Sequence, residues 1–180
     1  DLLAVAGKDL VAMNVNDVLT TGADPVLFLD YVGISRLEKD RIARCIAGMV
    51  EYLEACGCIL AGGETAEMPG MVPDGVIELS GFAIGVAEKE ALIDPTSIRR
   101  GDVLVGFPSA GFHANGFSLV RRVIAAENVG FTADEYRALL LPTRLYHAES
   151  GNLRKNVPSL RAMSHVTGGG LPENLGRLLV

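Results

Sequence analysis

Four short clusters in this chain hold the residue types that phosphate and metal chemistry use. The first is Asn14-Val15-Asn16-Asp17. Asn14 and Asp17 are three apart and share a face on a helix. Asp17 could ligate Mg²⁺, a hard cation that takes carboxylate and phosphate oxygens, although a solvated helix acid is the commoner meaning of such a spacing. The second is Gly62-Gly63-Glu64-Thr65-Ala66-Glu67. Glycines after a strand let a backbone approach a ligand, and Thr65 could donate to a phosphate. Two acids beside a phosphate would repel it unless a metal lay between. An ordinary turn with an acid at a helix start fits as well.

The third cluster is Ser109-Ala110-Gly111-Phe112-His113-Ala114-Asn115-Gly116, leading into a helix whose free amides and dipole suit an anion. His113 could donate to a phosphate or move a proton near neutral pH; the plainer alternative is a loop histidine with Asn115 as helix cap. The fourth is His165-Val166-Thr167-Gly168-Gly169-Gly170, a glycine triplet entering a helix in the manner of a phosphate nest. It lacks the Lys-Ser/Thr of a P-loop and is no dinucleotide fingerprint. His147 has no such setting, and Arg144 in Leu141-Pro142-Thr143-Arg144 is an anion contact only second to a helix-start pattern.

Alternating helices and strands must position these clusters. Apolar spacing predicts helices over residues 9–21 and 38–56, the second with Ile42, Ile46, Met49, Val50 and Leu53 on one face and Gly57 as its stop. Strands are expected at 25–33, at 58–61 entering a Gly-Gly loop, and at 76–87. The stretch 94–102 is the best boundary, dividing an amino-terminal domain (1–93) from a carboxy-terminal one (94–180). Beyond it the pattern predicts a strand at 103–107, helices at 117–127, 133–141 and 145–153, and a last helix with Pro172 in its first turn. The class is α/β (α+β).

Composition narrows the partners. With 16 basic and 22 acidic residues the 180-residue chain carries a formal charge of −6, and no basic tract offsets it; that is a poor phosphate-backbone binder. Trp is absent and aromatics are 6%, which disfavours base stacking. No apolar run reaches the roughly 18 residues of a membrane span. Nucleic acid and membrane are therefore not expected as partners. Cys45, Cys56 and Cys58 are odd in number and lack framework spacing, as expected of buried thiols in a reducing cytoplasm.

Six strings occur together in order: DLVAMNVND (9–17), LFLDY (27–31), GGETAEMPGM (62–71), HANGFSLVR (113–121), LPTRLY (141–146) and HVTGGG (165–170). With them the chain resembles the phosphoribosylformylglycinamidine cyclo-ligases, also called aminoimidazole ribonucleotide synthetases, over nearly its whole length. GGETAEMPGM is the most specific string. The glycine-rich loops are shared with a wider superfamily that includes selenophosphate synthetase and thiamine-monophosphate kinase; selenophosphate synthetases carry a histidine where this chain has Glu64.

The resemblance implies a two-domain fold whose amino-terminal sheet builds a β-barrel across a homodimer, with a second α/β domain behind, truncated here, and a cleft between. It implies a cytoplasmic enzyme of purine biosynthesis that uses ATP and Mg²⁺ to close formylglycinamidine ribonucleotide to aminoimidazole ribonucleotide, by phosphorylating the formyl oxygen. Carried over by motif, Asp17 is the acid that meets Mg²⁺–ATP. Gly62, Gly63, Glu64 and Thr65 lie at the nucleotide. His113 and His165 are the catalytic candidates, and Asn115, Thr167, Gly168 and Gly169 bind ATP or phosphate. Asp9 and Asp30 match family acids of less certain role. Ala110 and Ala114 stand where the family often has serine. The family's DGVGTK segment, which supplies an aspartate and a lysine near ATP, would precede residue 1, so the excerpt alone is expected to be inactive. Another ATP-dependent enzyme of the superfamily, or a non-catalytic nucleotide-binding or dimerisation protein, are the alternatives.

Overall fold

The computed structural model describes residues 1–127 and 130–179. Its first half is a three-stranded sheet with two helices on one face. Helix α1 (Leu2–Thr20) starts at an Asp1 cap, whose carboxylate accepts from the Leu3 amide at 3.0 Å. Strand β1 (Asp24–Ile34) follows, then α2 (Lys39–Ala55), β2 (Ile59–Glu67) and β3 (Ile77–Val86). The order is β2-β1-β3, with β1 parallel to β2 and antiparallel to β3. Parallel neighbours need a crossover, and α2 supplies it.

The apolar stripes meet between helices and sheet. Val11, Val15 and Leu19 of α1, Cys45, Met49 and Leu53 of α2, and Phe28 of β1 form the main core with Cys56 and Cys58. Each large side chain so buried contributes about 1.5–3 kcal/mol. The two helices touch at glycines. A Cβ on Gly7 would lie 2.0 Å from the Cys45 carbonyl oxygen, and one on Gly48 2.0 Å from that of Ala4. That contact explains why α1 begins at Leu2, seven residues earlier than its apolar spacing predicts. The three thiols are free and buried, and burial pushes those of Cys45 and Cys58 up to about 11.

Strand β2 extends beyond the expected 58–61. Gly62, Gly63, Glu64 and Thr65 pair with Leu29, Asp30, Tyr31 and Val32 of β1, so they are strand and not loop. An irregularity between Phe28 and Leu29 leaves Ala61 as the extra, unpaired residue, and Gly63 is held tightly, since a Cβ there would meet the Asp30 carboxylate at 2.3 Å. The other sheet face is open: Leu29, Ile59, Phe82, Ile84 and Val86 are exposed on it.

After β3 come two short 3-10 turns, Lys89–Ala91 and Pro95–Ser97, the second capped by Asp94. The strand expected at 103–107 is not formed. Val103, Leu104 and Val105 are 75% exposed or more, and among the described residues no strand pairs with them; β-type residues become a strand only where a neighbour takes their backbone groups. Helices α3 (Phe117–Glu127), α4 (Ala133–Leu139), α5 (His147–Asn156) and α6 (Gly170–Gly176) complete the described elements. Gly116, not Asn115, precedes the first turn of α3, its carbonyl accepting from Leu119 and Val120. Pro172 stands in the first turn of α6 as expected.

Candidate functional site

The second half docks on one polar stripe of α1. Residues 9, 16 and 17 lie about two turns apart along α1, on neighbouring positions of its surface, and each is tied to the second half. Asp9 Oδ1 accepts from the Thr143 amide at 2.7 Å. Asn16, only 3% exposed, donates from Nδ2 to the Arg144 carbonyl at 2.9 Å and accepts from the Tyr146 amide at 3.0 Å. Asp17 Oδ1 meets His165 Nδ1 at 2.9 Å, across 148 residues of sequence. Asn14, by contrast, turns to the sheet: its Nδ2 donates to Leu10 O and it packs against Gly81.

His113 sits where these ties converge. Its φ is +57°, the left-handed region that a non-glycine side chain adopts only when held. What holds it is Nε2, which accepts from the Ala110 amide at 3.0 Å and the Arg144 amide at 3.3 Å. The imidazole thereby staples the 109–116 loop to the segment Asn16 clamps. Burial pushes its pKa below the usual histidine value; His165 and Arg144 push the same way and Asp9 opposes them. The Arg144 guanidinium donates to Pro108 O at 3.2 Å, pairs with Glu149 and lies over the Tyr146 ring.

The His165 side chain is 7% exposed, while Asp17 is 70% exposed. His165 Nε2 is buried without a hydrogen-bond partner, as is the hydroxyl of Thr143. Arg154 Nε on α5 is a third such atom. Buried polar atoms are nearly always paired, and of the three the imidazole nitrogen is the one whose ring lies beside the exposed Asp17. The glycine loop after His165 is fixed from below: Asn174, 3% exposed, donates to the carbonyls of Gly168 (3.1 Å) and Gly170 (2.8 Å). Gly169 and Gly170 take positive φ, and a Cβ on Gly169 would strike Glu173.

The structure thus brings Asp17, His165 and His113 to one junction. It does not bring Glu64 and Thr65 there. Glu64 pairs with Tyr31 on the open face of the sheet, opposite the helices, and Thr65 faces α2 over an open cleft of about 450 Å³ lined also by Leu37, Lys39 and Ile46. Asn16 and Asn174 carry the junction yet stand outside the spacing argument. The signal for Asn16 was available, since an amide seven residues after Asp9 shares its stripe.

Among the described residues no three His, Cys, Asp or Glu side chains converge on a metal position. Asp17 can still hold a divalent ion in the way Mg²⁺ is commonly held, by one carboxylate with phosphate oxygens and water. His165 takes one of its oxygens and leaves the other free.

Comparison with known proteins gives the context. The model described as AIR synthase related protein, N-terminal domain, matches residues 3–87, and the C-terminal domain model matches residues 99–180. A protein of Burkholderia cenocepacia (strain HI2424) named phosphoribosylformylglycinamidine cyclo-ligase is 48% identical over 178 residues, 96% of this chain and 50% of the relative. One of the same name from Exiguobacterium sp. (strain ATCC BAA-1283 / AT1b) is 48% identical over 181 residues, 96% of this chain and 52% of its own length. The chain spans about half the length of the curated relatives it matches. Among solved structures, E. coli HypE, a hydrogenase maturation protein, superposes with a TM-score of 0.71 at 18% identity, over 96% of this chain and 50% of its own. Thiamine monophosphate kinase from Aquifex aeolicus gives 0.61 at 21% identity, over 86% and 50%. A HypE complex with ATP gives 0.71 at 20%, over 96% and 49%. At such identities the likeness is one of fold. With both domain models matched in order, and with its α/β architecture shared with these structures, the chain belongs to the AIR synthase related family.

Proposed function

We propose that the protein carrying this chain closes the imidazole ring of formylglycinamidine ribonucleotide, giving aminoimidazole ribonucleotide, ADP and phosphate. The observation that carries this is 48% identity to named cyclo-ligases over 96% of the chain, a span that takes in both halves. In the proposed reaction the formyl oxygen takes the γ-phosphoryl group of ATP. An amidine nitrogen attacks the formyl carbon, the C–O bond breaks, phosphate leaves with that oxygen, and the nitrogen loses a proton. Such chemistry asks the protein chiefly to position groups and neutralise charge.

Within it, Asp17 is proposed to meet Mg²⁺ bound to the ATP phosphates, which lowers the charge the nucleophile must approach. His113 and His165 face the reacting group. Asn115, Thr167, Gly168 and Gly169 belong to loops beside it, and Gly62, Gly63, Glu64 and Thr65 to a nucleotide-binding edge. Glu64 lies on the open sheet face, so its part in the same site requires a second copy closing that face into a barrel. Support for such a homodimer comes from the exposed Leu29, Ile59, Phe82 and Val86, which otherwise leave an apolar sheet face in water. A division near residues 94–102 and a cytoplasmic place complete the proposal. No helix among the described residues is long and apolar enough to cross a membrane.

The test is ADP release by the full-length protein, measured with and without formylglycinamidine ribonucleotide. Release that depends on that nucleotide and on Mg²⁺ is expected. Release only with a different phosphate acceptor, or none at all, overturns the proposal.

A further inference from the structure

We infer that the two imidazoles at the junction are locked with opposite hydrogen-bonding polarity, His113 offering a donor at Nδ1 and His165 an acceptor at Nε2. The group they take therefore carries an acceptor oxygen next to an N–H or O–H donor. The choice of ligand rests on the proposed function; the polarity does not.

The assignment follows from what the partners can do. A backbone amide only donates. Two of them, from Ala110 and Arg144, point at His113 Nε2, so that nitrogen holds a lone pair and the ring proton sits on Nδ1. Among the described residues no group accepts from that Nδ1. An ionised carboxylate only accepts. Asp17 Oδ1 lies 2.9 Å from His165 Nδ1, so that nitrogen carries a proton, and in the neutral ring Nε2 then holds the lone pair. Nε2 is buried, on a side chain 93% removed from solvent, and nothing donates to it. An acceptor left this way carries a desolvation cost that a ligand N–H or O–H relieves.

Both rings are moored to adjacent residues of α1: His113 accepts from the Arg144 amide while the Arg144 carbonyl accepts from Asn16, and His165 meets Asp17 directly, so a ligand lying along that end of the helix is offered both. A formamide oxygen takes the His113 proton, and an amidine N–H reaches His165 Nε2. That is the pair of groups the proposed substrate brings to ring closure. Asp17 is then a positioning residue for His165, in addition to its free oxygen on the solvent side.

The experiment uses the full-length protein labelled with ¹⁵N at histidine, observed at about pH 8, where an ordinary imidazole is neutral. His113 and His165 signals are assigned by their loss in His113→Gln and His165→Gln. Both rings are expected to carry the proton on Nδ1, and adding formylglycinamidine ribonucleotide is expected to shift His113 Nδ1 and His165 Nε2. A proton on Nε2 of either ring overturns the inference. Asp17→Asn provides the second arm, since an amide can turn either end to the ring and release the tautomer. A kcat loss of about a hundredfold or more with KM for the substrate nearly unchanged is expected, by the logic of the triad aspartate. Full rescue by excess Mg²⁺, with His165 still Nδ1–H, overturns the coupling. Both protons on Nδ1 in a protein that releases no ADP would end the proposed function and leave the polarity standing. Turnover with a proton on Nε2 would do the reverse.

Discussion

Asn16→Leu probes the clamp between the two halves. The native side chain fills two roles at a site 3% exposed, donor to the Arg144 carbonyl and acceptor for the Tyr146 amide. Leucine has similar bulk, excludes water and leaves both backbone groups unpaired. Each buried orphan costs about 1–3 kcal/mol, and the apolar side chain regains part of that by its own burial. A net loss of about 2–4 kcal/mol is expected, felt locally at residues 143–146. Hydrogen exchange reads it directly, because the Tyr146 amide is one of the two orphans. At 1.36 kcal/mol per factor of ten, its exchange should accelerate about thirtyfold to a thousandfold. The Arg144 amide should follow, since it lies against His113 Nε2 in the same segment. Asn16→Asp sharpens the test. It keeps the acceptor for Tyr146 but sets an oxygen against the Arg144 carbonyl. Protonation restores the donor, so the carboxyl's folded pKa lies above its unfolded one. Its stabilising contribution is then present below the unfolded pKa and lost as pH rises through the folded one, so this variant should recover in acid and the leucine variant should not. Exchange of Tyr146 unchanged in Asn16→Leu would refute the clamp.

Two further substitutions address the first half. Gly48→Ala gains about 1 kcal/mol of helix propensity but sets a Cβ 2.0 Å from the Ala4 carbonyl oxygen, an overlap whose cost exceeds the gain. A net loss of about 1–3 kcal/mol in urea unfolding is expected, whereas Gly151→Ala in α5, with nothing within 4 Å of the new Cβ, should be neutral or stabilising; equal effects would refute close helix contact. For Asp30, burial pushes the carboxyl above its ordinary value of 3.8. Its stabilising share is thus complete below about that pH and lost as pH rises. Asp30→Asn should be the more stable protein at pH 7, with the advantage gone in acid, and a gain that persists in acid would refute the assignment.

How far the sequence disclosed this structure depends on how local each feature is. The α2 stripe was legible because Ile42, Met49 and Leu53 repeat at the helical period and face one core. The early start of α1 was not, because Gly7 contributes by absence of a side chain against α2. Gly62 and Gly63 read as a loop from their flexibility, yet backbone pairing with Leu29 and Asp30 keeps them in a strand. Residues 103–107 show the reverse, a strand-like composition with no partner. At the site, the clusters named the side chains but not their company. Nothing in the spacing ties Asp17 to His165, or turns Glu64 to the opposite face from both. Pairings over more than a hundred residues are settled by packing, which leaves no period to read.

The dependence of three separate loops on a single rod has a consequence for how this family can vary. Each residue added to or removed from α1 between Asp9 and Asn16 turns everything beyond it by 100° and advances it 1.5 Å. Asp9 would keep Thr143 while Asp17 swung away from its imidazole. Length changes there are therefore quantised: only whole-turn insertions preserve phase, and even these slide the far anchor by about 5.4 Å. The stretch of α1 between Asp9 and Asp17, which spaces the moorings of Thr143 and His165, therefore has no latitude in length.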